Sequence, residues 1–178
     1  MRLFVALDLP GTLRTAAAAH RHPDAVPGRW VDPAQYHVTL AFIGAATDDE
    51  RAAYGEALAQ IGAPPARLVP YGLDALPSRR APRVLTVGLE RTESLVAVHT
   101  AVTDALAACG VSPDDRPFRP HITLARLNDP DARAVHRFIR AQAAAWPAAT
   151  VSALTLYRST RTADGARYDA VTTHPLGP

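Results

Sequence analysis

The sequence contains no lysine, one cysteine, one methionine and only 6% aromatic residues. All 19 basic residues are therefore arginines, but the chain is also rich in alanine and proline, and we attribute this bias to codon usage rather than to function. Because Cys109 is the only cysteine, an internal disulfide and a cysteine-cluster zinc site are excluded. Cys109 ends an apolar helical pattern, so we interpret it as a packing residue.

The sequence also lacks long apolar runs and a large net charge. No apolar stretch approaches the length that spans a bilayer, and Asp8 interrupts the short apolar run near residue 1, so we expect neither a membrane helix nor a signal peptide. The formal net charge of +2 is compatible with a phosphate-bearing ligand but far below that of a non-specific DNA-binding protein. With 48% hydrophobic and 20% charged residues, the chain has a globular composition, and we expect it in the cytoplasm.

Hydrophobic periodicity and turn residues together predict a mixed α+β protein. The predicted strands span residues 3–9, 36–43, 67–76, 83–90, 121–127, 150–160 and 167–173. The predicted helices span residues 12–22 and 93–109, and two more begin at a capping box on Thr47 and at Asn128-Asp129-Pro130. Asp164-Gly165 predicts a hairpin turn between the last two strands. This order predicts one domain, residues 1–178, made of two similar lobes around a central cleft.

A tetrapeptide of the form His-apolar-Thr-apolar occurs twice, as His37-Val38-Thr39-Leu40 and, 84 positions later, as His121-Ile122-Thr123-Leu124. Alternate side chains of a strand face opposite sides, so each histidine shares one face with its threonine, and the aliphatic residues share the other. One copy alone is typical of a half-exposed strand, whereas two matched copies favour a functional pair. Brought face to face, they would offer two imidazoles and two hydroxyls to one small anion. That set suits phosphodiester cleavage without a metal.

Segments from nearly the whole chain add to the doubled motif: Arg2-Leu3-Phe4-Val5-Ala6-Leu7-Asp8, Arg29-Trp30-Val31, Phe118-Arg119-Pro120-His121-Ile122-Thr123-Leu124-Ala125-Arg126 and Leu156-Tyr157-Arg158-Ser159. Together they resemble the 2H phosphoesterase superfamily, in particular its bacterial and archaeal RNA 2′,3′-cyclic phosphodiesterase branch, historically called 2′-5′ RNA ligases. The resemblance implies a bilobal fold of two pseudo-symmetric antiparallel sheets flanking a central cleft, with helices outside. It also implies an active-site quartet in which the second-motif histidine is the base and the first the acid: His37, Thr39, His121 and Thr123.

These residue types fit the hydrolysis of a 2′,3′-cyclic phosphate to a 2′-phosphomonoester. One imidazole must be neutral to take the proton of water, and the other must be protonated to give one to the ribose 3′ oxygen; histidine holds either state near neutral pH. Threonine hydroxyls beside each histidine can donate to the non-bridging phosphate oxygens, whose charge grows in the transition state. Nothing in the residues themselves decides which histidine is the acid.

Arginine and aromatic side chains complete the predicted site. Arg119 shares the strand parity of the second motif, whereas Arg126 matches the family pattern although strict alternation puts it on the opposite face. Both are predicted phosphate ligands, with surface exposure as the alternative explanation. Phe4 and Tyr157 are predicted walls for a nucleobase, because aromatic stacking holds unpaired RNA ends, although core packing is the favoured interpretation for Phe4.

Several functions remain open for this set of residues. Zinc would need a third protein ligand that neither motif supplies, so we expect no metal and no other cofactor. The expected partner is an RNA end with a 2′,3′-cyclic phosphate, such as a tRNA fragment or a nucleotide, bound by a monomer. The alternatives are a phosphodiesterase for small cyclic nucleotides or other cyclic phosphates, weak 2′-5′ RNA ligation, and a non-catalytic module that binds RNA ends.

Overall fold

The structure, a computed structural model, describes residues 1–112, 114–142, 144–162 and 165–177. In these residues the strands are β1 (Arg2–Asp8), β2 (Gly28–Trp30), β3 (His37–Ala45), β4 (Ala66–Leu68), β5 (Pro70–Ser78), β6 (Ala81–Leu89), β7 (His121–Leu127), β8 (Ala149–Val151), β9 (Ala153–Thr162) and β10 (Gly165–Pro175). The helices are α1 (Gly11–Ala18), α2 (Asp48–Ala59), α3 (Glu93–Ala108) and α4 (Ala132–Ala141). A 3₁₀ turn, Pro33–Gln35, leads into β3.

Eight strands form an antiparallel sheet in the order β10-β9-β1-β3-β7-β6-β5, with β2 paired to β7, and β4 and β8 form a small second sheet. The large sheet consists of two halves that join between β3 and β7, where Val38 pairs with Ile122. Away from this join, β3 pairs with β1 in one half and β7 pairs with β6 in the other. The two lobes therefore diverge from a narrow junction. This arrangement confirms the predicted bilobal α+β fold.

One face of the large sheet is buried beneath the helices. Val38 and Ile122 are fully buried, and all four helices contribute side chains to the same hydrophobic core. Helix α3 supplies an apolar stripe at helical spacing: Leu95, Val98, Val102 and Leu106. Burying each such side chain stabilises the fold by roughly 1.5–3 kcal/mol. The core fixes the backbone of both motif strands, so their other face is held rigidly toward the cleft.

Side-chain caps set the N-termini of α2, α3 and α4, whereas α1 ends at Ala18 and not at residue 22 as predicted. Thr47 and Glu50 form the predicted capping box, in which the Thr47 hydroxyl accepts from the Glu50 amide at 3.2 Å and the Glu50 carboxylate accepts from the Thr47 amide at 2.8 Å. The prediction for α4 is wrong by two residues, because the Asp131 carboxylate caps the helix by accepting from the Arg133 amide at 2.9 Å.

Two further predictions from the sequence are wrong, and a third falls partly on a residue that the structure does not describe. The predicted strand 67–76 is wrong, because it divides into β4 and β5, which belong to different sheets. Cys109 is exposed, so its interpretation as a packing residue is also wrong. Asp164 of the predicted hairpin turn lies outside the described residues, and Gly165 begins β10 with φ 136°. Across the described ranges, every helix is too short or too polar to cross a membrane.

Candidate active site

The four residues of the doubled motif lie on the same face of the large sheet. Their aliphatic neighbours Val38 and Ile122 pair across the join and point into the core, so the histidine and threonine of each motif point the other way. All four side chains are half-buried on this cleft face: His37, Thr39, His121 and Thr123. The structure therefore brings together, at the join of the two lobes, the residues that sequence reasoning selected.

Both imidazoles are anchored in the same way. Nδ1 of His37 donates to the backbone oxygen of Gln35 at 2.8 Å, and Nδ1 of His121 donates to that of Arg119 at 2.7 Å. A carbonyl oxygen only accepts, so each Nδ1 carries a proton and each Nε2 is the nitrogen that can exchange one with a substrate. Arg14 of α1 supports the backbone just before Gln35, the hydrogen-bond partner of His37. It donates to the backbone oxygens of Pro33 and Ala34 at 2.8 and 2.9 Å.

The surroundings shift the pKa values of the two histidines downward. Burial is the largest cause for both, and it lowers each pKa because it disfavours the charged imidazolium. At His37 the Asp8 carboxylate acts in the opposite direction, while the charges of His121 and Arg126 add to the lowering. At His121 the positive charges of Arg119 and Arg126 both lower the pKa further. Arg126 therefore acts on both histidines, whereas the Asp8 carboxylate acts on His37 and Arg119 acts on His121.

The last residue of each motif is the extra residue of a β-bulge, which changes the sheet face of the residue five positions after the histidine. On β7, Thr123 pairs with Thr86 but Ala125 pairs with Leu85, so Leu124 is an extra residue. On β3, Leu40 is the extra residue in the same way. A bulge inverts the alternation of the strand beyond it. Arg126 therefore faces the cleft, although strict alternation predicted the opposite face.

The arginines on the cleft face form a positive rim. Arg126 pairs directly with Arg29 of β2, and both side chains are exposed. Like charges directly opposite each other repel, so an anion bound between these two guanidinium groups would relieve the repulsion. Arg119 donates from Nη1 to the backbone oxygen of Pro77 at 2.8 Å, which holds its guanidinium against the β5–β6 hairpin. Arg29 was not selected from the sequence, because its role depends on its pairing with β7.

Aromatic rings line the first lobe. Phe4 is only 3% exposed; its ring stacks on Tyr157 at 5.3 Å and lies 5.1 Å from the ring of His37. Phe4 is therefore a support beneath the cleft surface. Tyr157 and Tyr168 line a cavity of about 220 Å³ beside His37. Phe42 is 65% exposed. Tyr168 and Phe42 were not predicted from the sequence. Phe42 reaches the cleft face through the bulge in β3.

Asp8 is the functional candidate that sequence reasoning missed most clearly. It pairs with His37 across β1 and β3 and lines the cavity beside that histidine. Its carboxylate accepts hydrogen bonds from the hydroxyls of Tyr157 and, at 3.0 Å, Thr155. These bonds hold the carboxylate in place, and the pKa of Tyr157 rises because of burial and the neighbouring carboxylate. The sequence showed only a lone acid at the end of an apolar run.

The site therefore presents two imidazoles and two threonine hydroxyls on one face of the sheet, with arginine guanidinium groups beside them. Across the described residues, no three His, Cys, Asp or Glu side chains are grouped to hold a metal ion. The fold and the site together define the class: a two-lobed α+β protein in which paired His-x-Thr-x strands face one cleft.

The chain belongs to the 2′-5′ RNA ligase superfamily, whose family model matches residues 11–163. It is similar to the RNA 2′,3′-cyclic phosphodiesterase of Thermus thermophilus, with 37% identity over 145 residues, which cover 75% of this chain and 72% of the relative. It is also similar to the protein of that name from Geobacillus stearothermophilus, with 34% identity over 149 residues, which cover 83% of this chain.

A solved structure extends the likeness over nearly the whole chain. LigT of Escherichia coli complexed with 3′-AMP superposes with a TM-score of 0.75 at 28% identity, covering 98% of this chain and 97% of LigT. The chain spans about half the length of several curated relatives: the matched part is 47% of the Geobacillus stearothermophilus protein and 58% of the Aeropyrum pernix protein.

Proposed function

We propose that the protein hydrolyses the 2′,3′-cyclic phosphate at RNA ends to a 2′-phosphomonoester by metal-independent acid–base catalysis. The observation that carries the proposal is the placement of two His–Thr couples on one face of the sheet, antiparallel to each other across the Val38–Ile122 pair. Relatives with the name RNA 2′,3′-cyclic phosphodiesterase and a LigT complex with 3′-AMP support a ribonucleotide end as the substrate.

His121 is the proposed base and His37 the proposed acid. The Asp8 carboxylate favours the protonated form of His37, and the Arg119 and Arg126 charges favour the neutral form of His121. A water molecule gives its proton to Nε2 of His121 while its oxygen bonds to phosphorus. The bond from phosphorus to the ribose 3′ oxygen breaks, and Nε2 of His37 gives its proton to that oxygen. Each transfer contributes about 10²–10⁴-fold to the rate.

The remaining site residues bind the substrate in this proposal. Thr39 and Thr123 donate to the non-bridging phosphate oxygens, whose negative charge grows in the transition state. Arg126 and Arg119 add charge-assisted contacts to phosphate. For the nucleobase we propose the first lobe, where Tyr157 forms a wall that Phe4 supports from beneath, and Phe42 adds an exposed ring.

The protein is proposed to act without a metal or cofactor, as a monomer and a single domain of two lobes spanning residues 1–178. The proposed place of action is the cytoplasm, where RNA fragments such as cleaved tRNA would present the substrate. Weak 2′-5′ ligation follows from the same site, because an RNA 5′-hydroxyl can take the place of water.

A single incubation tests this function. An oligonucleotide with a 2′,3′-cyclic phosphate end is mixed with the protein in excess chelator, and the position of the phosphate is determined by NMR. We expect a 2′-phosphate and no loss of rate in chelator. A 3′-phosphate product would reverse the assigned leaving oxygen. Binding without any product would leave only an RNA-end binding module, and faster turnover of cyclic mononucleotides would favour a small substrate.

A further inference from the structure

An exposed aromatic ring lies on the second lobe beside His121. Gly88 of β6 pairs directly with His121 of β7, so a side chain at position 88 would point to the cleft face. A Cβ atom at Gly88 would lie 2.1 Å from Cζ and 2.2 Å from Oη of Tyr71. The ring of Tyr71 therefore occupies the space that the missing side chain leaves. It is also 55% exposed, so one side of the ring faces solvent at the cleft.

Charged groups hold this ring and surround its hydroxyl. Oη of Tyr71 donates to the Asp74 carboxylate at 3.3 Å, and Nε of Arg79 donates to the same carboxylate at 2.9 Å. Burial and Asp74 raise the pKa of the Tyr71 hydroxyl, while the charges of Arg119 and Arg79 act against that rise. Both guanidinium groups are thus close to the hydroxyl end of the ring. Together Tyr71, Arg79 and Arg119 make a flat aromatic surface with two cations at its edge.

We propose that Tyr71, Arg79 and Arg119 form an acceptor subsite for the nucleoside that carries an RNA 5′-hydroxyl. This proposal rests on the proposed function, in which His121 is the base. The acceptor's 5′ oxygen bonds to phosphorus and gives its proton to His121, while the bond to the 3′ oxygen breaks and His37 protonates that oxygen. The product is a 2′-5′ phosphodiester, and the same subsite holds the leaving nucleoside when the reaction runs backwards.

The position of the Tyr71 ring indicates which nucleoside it binds: the one that carries the cyclic phosphate or the one that carries the attacking 5′-hydroxyl. In an in-line displacement, the attacking and leaving oxygens lie on opposite sides of phosphorus. The base must contact the attacking oxygen, so the acceptor arrives on the His121 side, where Tyr71 lies. The first lobe, with Phe42 and Tyr157, is left for the nucleoside that carries the cyclic phosphate. Base stacking on Tyr71 and phosphate contact with the arginines are the interactions typical of single-stranded RNA binding.

Binding of two ligands tests the subsite directly. Isothermal titration compares adenylyl-(2′-5′)-adenosine with adenosine 2′-phosphate in a His37→Asn background, which prevents turnover. We expect the dinucleotide to bind about tenfold more tightly, because it adds one stacked base. Adding Tyr71→Ala should abolish that difference in affinity and change the dissociation constant of adenosine 2′-phosphate by no more than about twofold. Tyr71→Phe keeps the ring, so it should preserve the difference in affinity. The matched control Phe42→Ala should weaken both ligands alike.

The outcomes separate this inference from the proposed function. Equal affinities for the two ligands in the presence of Tyr71, or an equal loss for both ligands in Tyr71→Ala, would overturn the acceptor subsite. Neither result would contradict the proposed hydrolysis of cyclic phosphate ends. If adenosine 2′-phosphate itself does not bind and no cyclic phosphate is opened, the proposed function fails, and the subsite fails with it.

Discussion

The two lobes present the same motif, but a different residue faces each histidine from the neighbouring strand. His37 pairs with Asp8 of β1, whereas His121 pairs with Gly88 of β6. Both imidazoles donate from Nδ1 to the backbone oxygen two residues before them, and both motifs end in a bulge. Two identical side chains in matching backbones can therefore take different roles only through what surrounds them.

The difference favours His37 as the histidine that holds the proton when the pair carries one. Burial lowers both pKa values, but the Asp8 carboxylate opposes the lowering at His37, while Arg119 and Arg126 strengthen it at His121. We infer that the pair, when it holds one proton, holds it on His37. The two groups influence each other, so the acid and alkaline limbs of a pH–rate profile report the pair as a whole. The alkaline limb is then the loss of the proton from His37.

The largest effect is expected from the histidines themselves. His37→Ala and His121→Ala should each lower kcat/KM for a cyclic phosphate end by about 10²–10⁴-fold. The double variant should be little worse than the poorer single variant, since the two groups act as a unit. Steady-state hydrolysis measures both, with His136→Ala, an exposed histidine of α4, as the control. Nearly wild-type turnover in either single variant would contradict catalysis by both histidines.

A smaller effect is expected from Arg126, which acts on both halves. Arg126→Gln should raise KM about tenfold through the lost charge-assisted contact to phosphate. The positive charge of Arg126 lowers the pKa of both histidines, so its removal should move both limbs of the profile to higher pH. The exposed Arg137 offers a matched control, Arg137→Gln. If only one limb of the pH–rate profile moved, Arg126 would not lower the pKa of both histidines.

The smallest effect, and the most selective, is expected from Asp8. Its carboxylate raises the pKa of His37, so Asp8→Asn should lower that pKa. In the proposed mechanism His37 acts as the acid, so activity is lost as pH rises through its pKa. The alkaline limb should therefore move to lower pH while the acid limb stays in place. Tyr157→Phe removes a hydrogen bond to Asp8 but keeps the charge, so it should leave the alkaline limb where it is. A shift of the acid limb in Asp8→Asn would contradict the assignment.

Local patterns in the sequence predicted most of the elements and one face of each motif strand, but they missed β2 and merged β4 with β5. Strand β7 has the predicted bounds, and alternation places His121 and Thr123 on one side of it. Alternation failed for Arg126, because a bulge at Leu124 arises from the pairing with β6 and leaves no local mark in the sequence.

The missed residues are those whose role depends on strand order. Asp8, Phe42, Arg29 and Tyr71 reach the site through pairing between segments that are distant in sequence or through a bulge. No periodicity within one segment specifies which strand will lie beside it. The asymmetry between Asp8 and Gly88, on which the acid and base assignment rests, was therefore visible only in three dimensions.

An NMR titration of the two imidazoles measures which of them holds the proton of the pair. The ring nitrogens of the free protein are followed from acid to alkaline pH, with His37→Asn and His121→Asn to assign the signals. We expect His37 to keep its proton to a higher pH than His121, and Asp8→Asn to narrow the interval between their two pKa values. An imidazolium that persists longer on His121 would contradict this expectation.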